Sequence, residues 1–110
     1  MQDWQQPIGA VASAIRTELE RLGRWSATPI DPARLVDMGP FGANTLAAEE
    51  WIQFVLVPRL VDLAQRGGEL PRESHVATWA TRQFDGDGDS DALIDRLRDL
   101  DELIEREAAR

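Results

Sequence analysis

Apolar side chains at Ile8, Val11, Ile15, Leu19 and Leu22 recur at three- and four-residue steps, which predicts an amphipathic helix from about Pro7 to Gly23. Pro7 suits a first helical turn, where its missing N–H is no loss, and Gly23 suits the end. From Trp25 to Asn44 the periodicity is lost, and Pro29, Pro32, Gly39, Pro40 and Gly42 interrupt any long element. Leu35, Val36, Met38 and Phe41 supply apolar anchors in this stretch, so it is expected to be a long loop packed along the outside of a bundle. Asp31 to Leu35 could form one short helical turn within it.

A second long helix is expected to begin near Asn44 or Thr45, whose side chains can cap free N–H groups, and to run to Arg66 before Gly67-Gly68. Placed at 100° per residue, Trp51, Ile52, Phe54, Val55, Leu56, Val57, Leu60, Val61 and Leu63 point in nearly every direction. That distribution predicts a central helix surrounded by other elements. Pro58 lies inside it, cannot donate to the carbonyl of Phe54 and crowds it, at a cost of about 3 kcal/mol in a regular helix. A bend is expected there.

Val76 to Phe84 form a shorter, weaker helical pattern, and the polar run Asp85 to Asp91 reads as a loop. A last helix, about Asp91 to Ala108, carries Leu93, Leu97, Leu100 and Ile104 at steps of four, three and four, a narrow seam for packing against another helix. No strand pattern or internal repeat is visible. The expected architecture is all-α: a four-helix bundle of three long helices and one short one, with a long packed loop between the first and second, in a single domain spanning residues 1–110.

Composition narrows the function classes. With 43% hydrophobic and 29% charged residues the chain has the balance of a folded domain. It contains no cysteine, which excludes disulfides, thiolate metal sites and cysteine nucleophiles. Lysine is absent too, which excludes Schiff-base chemistry and the phosphate-binding lysine of a P-loop. The start of the chain lacks the basic and apolar regions of a signal peptide, and no apolar run approaches bilayer length. A cytoplasmic protein with no membrane role is expected. The net charge is −8, with residues 85–110 contributing −6 from ten acids and four arginines. That balance opposes direct nucleic-acid binding and suits a basic partner protein.

Candidate chemistry is sparse. Asp85, Asp87 and Asp89 match the first, third and fifth positions of an EF-hand loop, but Ser90 replaces its glycine and Arg96 its bidentate glutamate, so no metal is expected. His75 is the sole histidine, and its neighbour Ser74 does not make a catalytic pair by adjacency alone. Neither catalytic residues nor cofactors are expected, and the protein is not expected to be an enzyme. Trp51 reads as core; Trp25 and Phe41 read as core anchors or as exposed interaction hot spots.

Pro40-Phe41, Thr45, the run Glu50-Trp51-Ile52-Gln53-Phe54-Val55-Leu56-Val57-Pro58-Arg59-Leu60, and the later Leu70-Pro71 resemble the signature of the YqcC-like family. Leu22-Gly23-Arg24-Trp25 also fits, so the likeness covers most of the chain, with departures at Asn44 and around Thr78. The resemblance implies a small bundle of four helices with no established enzymatic activity, encoded beside tRNA pseudouridine synthase C. It singles out Pro40, Phe41, Trp51, Gln53, Phe54, Pro58 and Arg59 as motif or interaction residues.

The first functional expectation is a non-catalytic interaction or accessory module whose partner is a basic protein such as that synthase. The alternative is a small-ligand or catalytic site at the bend near Pro58, where Arg59 and Gln53 would supply polar groups. A buried Arg59 beside an open pocket favours the alternative, and a solvent-facing Arg59, or one paired with Asp62, counts against it. A homodimer is the third possibility.

Overall fold

The computed structural model describes all residues from Met1 to Arg110 and contains four helices and no strand. Helix α1 is Gln5–Arg21, α2 spans residues 48–66, α3 is Val76–Gln83 and α4 is Asp91–Ala108. Short 3₁₀ turns at Pro32–Leu35, Pro40–Gly42 and Gly88–Ser90 punctuate the connections. The loop between α1 and α2 thus contains two tight turns rather than the one suggested by the Asp31 to Leu35 segment.

Of the predicted stripe of α1, Ile8, Ile15 and Leu19 are buried and Val11 and Leu22 half-buried, with Ala12 joining the buried face, which meets both the C-terminal half of α2 and α4. Helix α4 presents Leu93, Leu97, Leu100 and Ile104 to the same core, and α3 packs on α4 through Val76, Ala77 and Ala80. Each fully buried Ile or Leu here contributes about 1.5–3 kcal/mol relative to exposure. Helices α1 and α4, each packed on two others, occupy the middle of the fold. The expectation that α2 is the central, surrounded helix is therefore corrected: Val61 is exposed and Trp51, Phe54, Val55 and Leu63 are only half-buried.

The proline explains the difference. Residues Ile52–Leu56 form a π turn, in which the Val57 N–H donates to the carbonyl of Ile52, five residues back. Widening the turn moves the Phe54 carbonyl away from the Pro58 ring, so the helix continues instead of breaking. The extra residue in that turn offsets everything after it by one helical step. Side chains that scatter on a uniform 100° wheel are in fact two apolar stripes, one on each side of the offset.

Helix α2 begins at Ala48, later than the expected start at Asn44 or Thr45. Both candidate caps serve the loop instead: Thr45 Oγ1 donates to the Arg34 carbonyl at 2.6 Å and Asn44 Nδ2 donates to the Asp37 carbonyl at 3.1 Å. The first turn is finished by Glu50, whose carboxylate accepts the Ala47 N–H at 2.8 Å. At the other end Gly67, with a positive φ of 73°, stops the helix. The Gln2 side-chain amide then clasps both backbone groups of Gly68, at 3.0 and 2.9 Å, tying the start of the chain to the end of α2.

Candidate functional site

The motif residues separate into those that hold the fold and those that remain at the surface. Gln53 is buried, and both ends of its amide are bound by the loop: Oε1 accepts the Ser26 N–H at 2.8 Å and Nε2 donates to the Ser26 carbonyl at 2.7 Å. Glu50 meets the Arg34 guanidinium in a two-pronged pair at 2.8 and 2.6 Å. The Arg34 bonds, followed by that from Ala47, hold the Glu50 carboxyl below its usual range. Arg34 also donates to the Thr45 carbonyl at 2.9 Å, so one arginine closes the loop onto the start of α2.

Arg24, from the end of α1, performs the same task at the 85–90 loop. It pairs with Asp87 and donates to the buried Ser90 hydroxyl at 2.9 Å, and Ser90 in turn donates to Asp87 at 2.9 Å. Arg24 and then Ser90 keep the Asp87 carboxyl below its usual range. A guanidinium thus stands beside the carboxylate at the third position of the EF-hand-like run. Asp101, in the middle of α4, is buried and accepts from the Ser74 hydroxyl and from the N–H groups of Val76 and Ala77 at 3.1 and 2.8 Å. It caps the start of α3 from another helix.

The motif residues at or near the surface include Pro40, Phe41, Trp51, Pro58 and the charged Arg59. Pro40-Phe41-Gly42 form a tight turn in which Phe41 adopts the left-handed conformation, φ 53° and ψ 26°. This conformation, costly for a residue with a Cβ, delivers the phenyl ring onto two tryptophans. Phe41 stacks on Trp79 with centroids 4.8 Å apart and planes 11° from parallel, and meets Trp51 edge-on at 5.0 Å. Trp51 and Trp79 complete the triangle at 5.0 Å. All three rings are half-buried and rest on the core. Phe41, read from sequence as a core anchor or an exposed hot spot, and Trp51, read as core, are each half-buried against the core.

This cluster stands at one end of an open groove of about 430 Å³. Its floor includes the buried Leu56, Leu60, Leu100 and Ile104. One bank is α2 with Val55, Arg59 and Leu63, and the other is the segment 71–76 with Pro71, Glu73 and His75. Arg59 is exposed on its bank; Asp62, the expected partner, pairs with Arg66 at 3.1 Å instead. Gln53 does not line the groove. The structure therefore does not bring Arg59 and Gln53 together as the polar groups of a site at Pro58, which is itself exposed. Phe54 is half-buried and Pro40 exposed. The groove's second bank, including His75 and Glu73 3.7 Å apart, was not legible as part of any site.

The helical frame and this groove define a small all-helical protein in which Gln53 and Glu50 help build the fold and a groove with an apolar floor opens at the surface. The chain belongs to the DUF446 family, whose model, described as "tRNA pseudouridine synthase C", matches residues 9–103. It is 30% identical over 97 residues to the "Uncharacterized protein YqcC" of Escherichia coli, covering 87% of this chain and 89% of that protein. It is 26% identical over 89 residues to an "Uncharacterized protein" of Haemophilus influenzae, covering 81% and 84% respectively. The YqcC-like resemblance seen in the motif is thereby established. No solved structure matches the chain. None of its helices is long and apolar enough to cross a membrane.

Proposed function

We propose that this protein is a non-catalytic protein-interaction module, accessory to a tRNA pseudouridine synthase. The observation that carries this reading is the open groove headed by Phe41, Trp51 and Trp79. Half-exposed aromatic rings beside an apolar floor are the residue types that dominate protein contacts, because they remove large areas from water at small cost in side-chain freedom. The polar motif groups Gln53 and Glu50, and the buried Asp101, offer little for chemistry, since each is bound to backbone or to a structural partner.

The synthase as partner is supported by the family's description and by charge. Residues 85–110, at a net −6, present Asp91, Asp95, Asp99, Glu102 and Glu105 at the surface, a face suited to a basic RNA-modifying enzyme. Co-expression of the two proteins followed by affinity capture at moderate salt tests the reading. A stoichiometric complex is expected, and no complex at micromolar concentration would sink it.

A further inference from the structure

The two banks of the groove carry opposite charges that the chain itself leaves unmatched. Arg59 stands exposed on the α2 bank without a carboxylate partner, Asp62 being held by Arg66. Glu73 stands 84% exposed on the 71–76 bank, with only His75 within 4 Å, at 3.7 Å. Beside Arg59 the half-buried Val55 and Leu63 face the groove, and the buried Leu60 lies in its floor. Among the residues that line the groove Arg59 is the one guanidinium and Glu73 the one carboxylate, and with the apolar side chains they form a surface complementary to itself.

Symmetry decides how two such surfaces meet. A two-fold axis running along the groove lays the α2 bank of one copy over the 71–76 bank of the other, so Arg59 faces Glu73 twice. An axis across the groove would set Arg59 against Arg59. Only the first arrangement matches both charges while covering the apolar strip, and a two-fold contact is the commonest route to a closed assembly.

We propose that the occupant of this groove is a second copy of the chain, giving an isologous dimer in which Arg59 of each copy pairs with Glu73 of the other. The inference rests on the reading of the groove as a protein-contact surface. It assigns that surface to self-association and leaves the acidic face of α4 for the synthase.

Sedimentation equilibrium on the full chain, with Arg59→Glu, Glu73→Arg and the double exchange, tests it. Wild-type protein is expected at twice the 12.3 kDa of one chain in the micromolar range. Each single reversal, which sets like charges together twice, should weaken the dimer by roughly tenfold or more. The double exchange should return it to within about threefold of wild type. Both positions are exposed, and circular dichroism checks that the variants keep their helices. A wild-type mass of one chain overturns the inference and leaves the groove to a different occupant. A dimer insensitive to the single reversals, or not recovered by the double exchange, overturns the pairing. A monomer that still captures the synthase removes only this inference; a dimer that fails to capture it removes only the accessory role.

Discussion

The side-chain amide of Gln53 forms two hydrogen bonds to the backbone of Ser26, 27 residues earlier, and so fastens the α1–α2 loop to the wide turn of α2. Each bond contributes about 1 kcal/mol, and Gln53 is buried while Ser26 is exposed to water. Gln53→Ala is therefore expected to lower unfolding stability by about 1–2 kcal/mol in urea. Gln53→Glu should cost more, because a carboxylate cannot donate to the Ser26 carbonyl.

Asp101 supplies the acceptors that the start of α3 lacks, Ala77 N–H at 2.8 Å and Val76 N–H at 3.1 Å. Replacing it by Ala leaves those donors without a partner and is expected to destabilise the fold by about 2–3 kcal/mol. Amide exchange should locate the loss: Val76 and Ala77 would exchange faster in the variant than amides of α1.

Two carboxyls, Glu50 beside Arg34 and Asp87 beside Arg24, are held below their usual range and contribute to the acid response. A depressed carboxylate stabilises the fold fully above its ordinary value, 4.5 for Glu50 and 3.8 for Asp87. The contribution is lost as pH falls from there through the lower folded-state value. Thermal melts are expected to be flat from neutral pH down to those values and to fall below them. The fall should be shallower in Glu50→Gln, and salt should reduce the difference because the pair is partly exposed.

Phe41 combines a stacked ring with a backbone conformation that favours glycine. Phe41→Ala removes the ring and keeps the strain, whereas Phe41→Gly removes both. Both variants should be less stable than the wild type, with the glycine variant the better of the two by about 1 kcal/mol. Tryptophan emission should shift to longer wavelength in both as Trp51 and Trp79 meet more water.

The apolar spacing of α1 and α4 made the existence of those helices and their buried faces readable, while α1, Gln5–Arg21, lies two residues earlier at each end than its Pro7 and Gly23 signals suggest. The start of α2 was not readable, since Asn44 and Thr45 look like caps and only the returning loop shows them bonded to Asp37 and Arg34. Gln53 looked available for chemistry because its partner is distant in sequence. Asp101 lies on a helix rich in acidic residues, so nothing in its residue type sets it apart. Its place between Leu97, Leu100 and Ile104 on the apolar seam was a signal that it is buried. The groove could not be seen at all, as its second bank comes from a connection with no periodicity.

The π turn at Ile52–Leu56 sets the phase between two halves of one helix. Residues before it are aligned by the Trp51 cluster and residues after it by packing on α1. What relates them is a count of residues: removing one would rotate Leu60 and Leu63 by about 100° relative to Trp51. This stretch should therefore tolerate many changes of side chain but no change of length. In relatives of the chain an insertion or deletion here would have to be balanced by loss of the proline and a redrawn groove.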